Sequence, residues 1–263
     1  MKLQKFIAAL LIVITITLLP SCSCSSLIEC ESISQRQLTM LVDVSDSILF
    51  NGIDKDIQTN FPVFMQKSKL GNVSPCQSFT LSFAHLSSQE ALELSSETIK
   101  ITRKRQSQKE ENKEANPAPL IKLLTQKMDD DYRLLSKQPE MTTGSNIANV
   151  LLKAINQSNP DAENVIILFS DMVENNAQLN LYKKIPDKKD IPQVMEKLIE
   201  PSVMEKFKQL QQEGLQIKIV LVLKPEPAGK ANQRNIKIFW TEVFKALKLN
   251  VQIVDNLSNQ IQV

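Results

Sequence analysis

Glycine is scarce in this chain, with 5 residues among 263. Nucleotide-binding loops depend on glycines that let the backbone approach a phosphate group, and the sequence contains neither GxGxxG nor a GxxxxGKS or GxxxxGKT pattern. The shortage of glycine therefore argues against a nucleotide loop. We expect no small-molecule cofactor.

Histidine is rarer still, because His85 is the single one in the chain. Zinc sites combine several histidine and cysteine ligands, so we interpret His85 as a structural residue. A serine hydrolase needs a GxSxG elbow and a base, and no GxSxG occurs. No catalytic constellation emerges, and we predict that the protein is not an enzyme.

The chain begins with a positively charged and then apolar segment. Lys2 and Lys5 precede an apolar run of about 14 residues, which is shorter than the ~20 needed to span a bilayer and has the layout of a secretory signal. "LPSC" then places Leu19 three residues before Cys22 and resembles the lipobox of bacterial lipoproteins. We predict a signal peptide at residues 1–21 and a lipid anchor on Cys22. The alternative is an ordinary signal peptide or a membrane anchor.

Removal of this leader would leave a chain without net charge. The 31 basic residues include Lys2 and Lys5, so 29 basic residues would face 29 acidic ones. A nucleic-acid partner usually requires a basic excess, and we predict none. The serine-rich residues 22–35 are typical of a tether, and residues 36–263 have the length of one α/β domain. An exported, lipid-anchored protein of the bacterial cell envelope, facing the periplasm or the surface, is expected.

Two of the four cysteines are candidates for a disulfide. Cys22 is the predicted lipidation site, and Cys24 in the tether is a weaker alternative acceptor. Cys30 and Cys76 precede the first and second predicted strands, whose starts would be neighbours in a parallel sheet within the roughly 4.4 to 6.8 Å that a disulfide requires. Export favours such a bond. Two free buried thiols are the alternative.

Strands and amphipathic helices alternate along the rest of the chain. The predicted strands are "RQLTMLVDV", "QSFTLSFAHL", "ETIKITRKR", "ENVIILFSDMVE", "LQIKIVLVLKP" and "VQIVDNL". This alternation predicts an α/β fold of three layers, with a mostly parallel, doubly wound sheet and helices on both faces. We expect Pro62 to kink or split a helix, Pro201 to interrupt another, Gly214 to end it, and residues 103–119 to form an exposed charged loop.

Polar side chains collect where two of the buried strands end. Ligands of open parallel sheets bind at the carboxyl ends of the strands, where the strand order reverses. Asp43 ends the first strand and Asp171 the "VIILFSD" strand, while Ser45 and Ser47 follow Asp43 at alternate positions and Ser145 begins the intervening helix. Carboxylate and hydroxyl oxygens with little total charge suit Mg²⁺.

The three segments "LVDVSDS", "TTGSNIANVL" and "VIILFSDM" resemble the von Willebrand factor A domain and its metal-ion-dependent adhesion site. The resemblance covers about residues 36 to 257. It assigns the metal ligands to Asp43, Ser45, Ser47, Ser145 and Asp171. Ser145 stands where the family has threonine, with Thr143 as the alternative ligand, and the family favours glycine where this chain has Asp46 and Met172.

The resemblance implies adhesion-type protein binding rather than catalysis. Mg²⁺ or Mn²⁺ would be held by these residues, and an Asp or Glu of an unknown protein partner would complete the coordination. A domain that keeps the fold without metal is one alternative. A phosphoryl-transfer enzyme is another, disfavoured because Ser45 stands where such phosphatases need a second aspartate. We interpret Glu174 as a solvated loop residue, and Trp240 and Phe244 as core.

Overall fold

The apolar run that ends at Asp43 forms the first strand of the sheet in the computed structural model of the chain. Strand β1 spans Ser34–Asp43, and its residues from Leu38 to Val42 are all buried. The structure describes residues 34–45, 47–68, 77–86, 145–225, 229 and 232–257, with isolated helical positions at 122, 126 and 130.

Helices and strands follow β1 in alternation, as the sequence predicts. The elements are α1 (Ser47–Lys67), β2 (Gln77–Leu86), α2 (Ile147–Ile155), β3 (Ala162–Ser170), a 3₁₀ turn (Lys188–Asp190), α3 (Ile191–Leu198), α4 (Pro201–Gln212), β4 (Ile217–Leu223), α5 (Gln233–Ala246) and β5 (Val251–Val254). Within the described ranges, five strands form one sheet in the order β2-β1-β3-β4-β5, and each of their four pairings is parallel. The predicted α/β fold is confirmed.

The strand order reverses beside β1, which has β2 on one side and β3 on the other. The first pairing runs from Ser34 opposite Gln77 to Asp43 opposite Leu86. The second ends with Val42 opposite Phe169. The crevice that such a reversal leaves lies outside the carboxyl ends of the two strands. It therefore lies between β1 and β3, next to Asp43.

Each face of the sheet carries its own hydrophobic core, because alternate strand residues point to opposite faces. One core packs α1, including Ile53 and Phe61, against Met40 and Val42 of β1. The other packs α2, α3, α4 and α5 against residues such as Leu41 and Leu168. Trp240 and Phe244 of α5 are buried in this second core as predicted. The three layers follow directly from these two cores.

Pro201 and Gly214 act on helix boundaries as the sequence predicts, whereas Pro62 does not split its helix. Helix α3 ends at Leu198 and α4 begins at Pro201, so the expected interruption is present. Gly214 has a φ of 84° after α4, and the Leu215 N–H donates to the Leu210 carbonyl at 3.0 Å. This is a Schellman ending, which favours glycine at the left-handed position. Helix α1, however, continues through Pro62, so it is not split there.

Several sequence predictions lie outside the described residues. They are the signal peptide with Cys22, the pair Cys30 and Cys76, the strand "ETIKITRKR" and the loop at 103–119. Lys122, Gln126 and Asp130 are helical and exposed. Their spacing of four residues places them on one face of the helix predicted there. Within the described part of the chain, no helix is both long and apolar enough to cross a membrane.

Candidate functional site

Asp43 lies at the centre of a hydrogen-bond network at the carboxyl ends of β1 and β3. It is the last residue of β1 and is fully buried. Its Oδ1 accepts from the Ser45 N–H at 3.0 Å and from the Ser45 hydroxyl at 2.6 Å. Its Oδ2 accepts from the Ser170 hydroxyl at 2.6 Å. Both carboxylate oxygens are thus oriented by serine hydroxyls, one from each strand end.

Ser170 is a member of this network that the sequence prediction omitted. It is the last residue of β3 and is buried. Its hydroxyl donates to Asp43 and accepts from the Met172 N–H at 2.8 Å. The sequence feature that could have indicated its role is a serine at the end of an otherwise apolar strand. This pattern is equally typical of a strand end without any function. Ser170 therefore fixes the Asp43 carboxylate and the turn after β3 together.

Asp171 begins the turn that leaves β3. It is 4% exposed, and its Oδ1 accepts from the Val173 N–H at 2.8 Å. Met172 has a φ of 61°, a left-handed conformation that costs about 1 kcal/mol for a residue other than glycine. The Trp240 indole N–H donates to the Met172 carbonyl at 2.7 Å, which helps to hold this conformation. Met172 thus has a left-handed backbone conformation, which glycine adopts more readily than other residues.

Ser145 reaches the same turn from the start of α2. It is 2% exposed, and its hydroxyl donates to the Val173 carbonyl at 2.8 Å. The Asp171 carboxylate and the Ser145 hydroxyl therefore bind the two sides of one residue, Val173. A hydroxyl that donates to a carbonyl retains lone pairs that can accept or ligate. Ser145 remains chemically competent as a ligand.

Glu174 corrects the sequence prediction of a solvated loop residue. It is fully buried, and its Oε2 accepts from the N–H groups of Ile147 at 3.0 Å and Ala148 at 3.3 Å. The first N–H groups of a helix lack partners within the helix, and Asn146 makes no capping bond with its side chain. Glu174 caps α2 in its place, from 27 residues further along the chain.

Burial sets the protonation behaviour of Glu174. Desolvation raises the pKa of its carboxyl to about 8. The Ala148 and Ile147 N–H groups oppose this shift, whereas the nearby charge of Asp43 adds to it. A pKa near 8 leaves the group largely protonated at neutral pH. The site therefore contains two aspartates beside a mostly neutral glutamate.

A buried ion pair lies beyond Ser170. Lys224 follows β4, and its N–H donates to the Ser170 carbonyl at 2.9 Å. Its ammonium group lies 2.6 Å from the Asp56 carboxylate of α1, with 14% and 6% of the two side chains exposed. The Lys224 main chain thus contacts the end of β3, while its side-chain charge is paired with Asp56 of α1.

Four of the five predicted ligands have side chains that the structure describes, and Ser47 does not. Asp43 and Ser45 share one hydrogen-bond network with Ser170, whereas Asp171 and Ser145 both bind Val173. The main chain from Ser170 to Val173 connects these two sets of contacts. Ser47 begins α1, but its side chain lies outside what the structure describes. Thr143, Asp46 and the side chain of His85 also lie outside the described residues.

The chemistry of this network fits a small hard cation. It offers two carboxylates and three hydroxyls, all oxygen donors of the kind that Mg²⁺ prefers. Among the described residues, no three His, Cys, Asp or Glu side chains form a metal-binding group. A bound ion would therefore depend on serine hydroxyls and water for most of its ligands.

Comparisons with known proteins return several distant likenesses. No protein-family model matches the chain, and no curated protein is significantly similar to it. Human COPII-coat protein Sec24c is 11% identical with a TM-score of 0.43, over 85% of this chain and 30% of its own. The pilus adhesin SpaC of Lactobacillus rhamnosus GG is 12% identical with a TM-score of 0.41, over 86% of this chain and 29% of its own.

A third solved structure matches over nearly its whole length. It is an aerotolerance-related membrane protein from Bacteroides fragilis NCTC 9343, 12% identical with a TM-score of 0.38, over 85% of this chain and 93% of its own. The chain spans less than a third of the length of Sec24c and of SpaC. None of these likenesses decides a function for it.

Proposed function

We propose that this protein is a von Willebrand A-type binding module of the bacterial cell envelope that holds Mg²⁺ or Mn²⁺ and binds a protein partner. The proposal is supported by the positions of Asp43 and Ser45 at the end of β1, of Asp171 directly after β3 and of Ser145 before α2, beside the strand at which the order of the parallel sheet reverses. The polar groups at the opposite edge of the sheet differ in kind, because no buried carboxylate is found there among the described residues.

The carboxylates and the hydroxyls of the site would have different roles in binding the ion. The carboxylates of Asp43 and Asp171 supply negative charge in a buried place, where it acts strongly on a cation. The hydroxyls of Ser45 and Ser145 supply neutral oxygens whose directions are fixed by their hydrogen bonds. Ser47 at the start of α1 is a further ligand candidate. When bound, the ion would supply an electrophilic position that a partner's Asp or Glu can occupy.

A metal-free interaction protein is the second candidate. It is favoured by one observation, namely that both oxygens of Asp43 already accept hydrogen bonds from serine hydroxyls. Such a network satisfies a buried carboxylate without an ion. The partner would then bind the fold through another surface.

Calorimetric titration of the full-length chain with Mg²⁺ tests the proposal. We expect saturable binding by the wild type and none by Asp43→Ala, because removal of one of two carboxylates leaves too little charge at the site. Asp161→Ala is the matched control, since Asp161 is an exposed aspartate directly before β3, at the other edge of the sheet. It should bind Mg²⁺ as the wild type does.

Two results would contradict the proposal. Absence of Mg²⁺ and Mn²⁺ binding by the wild type would favour the metal-free module. Equal binding by Asp43→Ala would place the ion elsewhere. Turnover of a phosphate ester in the same preparation would instead support a phosphoryl-transfer enzyme. A protein partner recovered from envelope extract only in the absence of chelator would support the second part of the proposal, which is metal-dependent protein binding.

A further inference from the structure

Two buried side-chain oxygens next to the candidate site have no hydrogen-bond partner among the described residues. They are Oε1 of Gln233 and Oδ1 of Asn146. Asn146 directly follows Ser145, and Gln233 begins α5. A buried acceptor that has lost water and gained no donor is costly, and each such group calls for an explanation.

The position of the Gln233 amide is set by the turn after β3. Its Nε2 donates to the main-chain carbonyl of Asp171 at 3.4 Å. Reversal of the amide would bring two acceptor oxygens together, so the nitrogen must face this carbonyl. The oxygen of the same amide is therefore held close to the main-chain carbonyl of Asp171 and has no donor from the described part of the protein.

A hydrated cation supplies what these oxygens lack. Mg²⁺ in proteins usually keeps several of its waters, and a bound cation polarises its water and strengthens the water's hydrogens as donors. Outer groups that hold such waters commonly change metal affinity by about tenfold or more when they are removed. Acceptor oxygens without donors beside a cluster of carboxylates and hydroxyls are suited to this role.

We propose that Gln233 is a positioning residue of the metal site, whose Oε1 accepts a hydrogen bond from a water molecule on the ion, with Asn146 as a second acceptor. This inference rests on the proposed function. It adds a contribution from α5, an element to which the sequence assigned no ligand.

Two substitutions at Gln233 separate this role from a structural one. Gln233→Met removes both the amide nitrogen and the oxygen at nearly constant volume. Gln233→Glu removes the nitrogen and keeps an acceptor. If the oxygen matters, Gln233→Met should lower the affinity of the full-length chain for Mg²⁺ about tenfold, while Gln233→Glu should bind at least as tightly as the wild type.

Two controls account for charge and for burial. Asn235→Asp adds one negative charge at an exposed position two residues further along α5 and should leave the affinity unchanged. Asn156→Leu is the matched burial control. The Asn156 amide nitrogen donates to the Val203 carbonyl at 2.8 Å, and its Oδ1 is buried without a described partner, but it follows the far end of α2. It should alter thermal stability and not the affinity.

The outcomes distinguish the two proposals. Absence of Mg²⁺ binding by the wild type would overturn the metal site and this inference together. Wild-type binding with an unchanged Gln233→Met would overturn the inference alone. Equal weakening by Gln233→Met and Gln233→Glu would also overturn it, because the loss would then come from the bond to the Asp171 carbonyl. Circular dichroism and thermal melting of each variant identify any that fails to fold.

Discussion

The two edges of the sheet satisfy the polar groups at their strand ends in different ways. At the carboxyl edge, the buried carboxyl groups of Asp43, Asp171 and Glu174 accept hydrogen bonds from hydroxyls and main-chain N–H groups. At the amino edge, the described polar groups are mainly neutral amides. Both edges must satisfy the main-chain groups where strands end. Among the residues that the structure describes, the carboxyl edge does so with several buried carboxyl groups and the amino edge does not.

The amino edge is held by asparagine and glutamine side chains. The Asn164 amide nitrogen donates to the carbonyls of Asn159 and Ala162, at 2.8 Å each, and of Gln216 at 3.2 Å. The Asn159 amide nitrogen donates to Gln35 at 2.6 Å. The ion pair there, Arg36 with Glu163, has 23% and 40% of its side chains exposed. Charge at this edge stays in contact with water.

This contrast shows that the carboxyl edge contains groups whose burial lowers the stability of the fold. Burial of a carboxylate is unfavourable unless it is paired and hydrogen-bonded, and neutral amides would close a strand end at a lower cost in free energy. Groups that disfavour stability while lying together in a crevice are typical of functional sites. The difference between the edges therefore supports the carboxyl edge as the functional end of the molecule.

The largest expected effect concerns the buried acid. The pKa of Glu174 is raised from 4.5 to about 8 in the folded chain, so its contribution is fully present below pH 4.5 and is lost as the pH rises through about 8. Between pH 5 and pH 8 the free energy of unfolding should fall by about 3 kcal/mol from this group alone. A glutamine side chain is isosteric and neutral, so Glu174→Gln should remove this fall. Urea unfolding with chelator present, at both pH values, measures it.

The control for this prediction removes a carboxylate at the other edge. Glu163→Gln changes an exposed acid that pairs with Arg36, and it should keep the pH dependence of the wild type. If the free energy of unfolding of Glu174→Gln fell with pH as steeply as that of the wild type, another group would be responsible for the titration. The proposed difference between the two edges would then lose its strongest support.

The next effect tests the amino edge. Asn164→Ala should lower the free energy of unfolding by about 2 kcal/mol, because three main-chain carbonyls lose a buried donor. Arg36→Ala should change it by less than about 1 kcal/mol, since ion pairs in contact with water contribute little. Neither variant should affect Mg²⁺ binding. If Asn164→Ala stayed folded but no longer bound Mg²⁺, the amino edge would also contribute to metal binding. The proposal that only the carboxyl edge is functional would then be wrong.

Most of the fold could be predicted from local patterns. Apolar runs marked β1 and β3, and the ends of these runs located Asp43 and Asp171, because a parallel sheet brings strand ends together. Pro201 and Gly214 marked helix boundaries through their backbone restrictions. Pro62 did not split α1, whose Phe61 and Phe64 are buried against the sheet. Tertiary packing outweighed the local preference there.

The site was less predictable, because its contacts join distant segments. Glu174 was misread since its donors belong to the start of α2, 27 residues earlier, and nothing beside it in the sequence shows them. Ser170 was overlooked because its role depends on the alignment of β1 with β3. The proposed role of the Gln233 amide could not be predicted from the sequence, because it depends on a contact with the distant Asp171 carbonyl. The ends of predicted strands point to candidate ligands, but they do not reveal the groups that orient those candidates.

One measurement tests the central claim most directly: an anomalous-difference map from crystals of the protein grown with Mn²⁺. The account predicts a peak beside Asp43 and Asp171, in contact with oxygen atoms of Ser45 and Ser145, and no such peak in Asp43→Ala. A peak at another place, or none at saturating Mn²⁺, would contradict it.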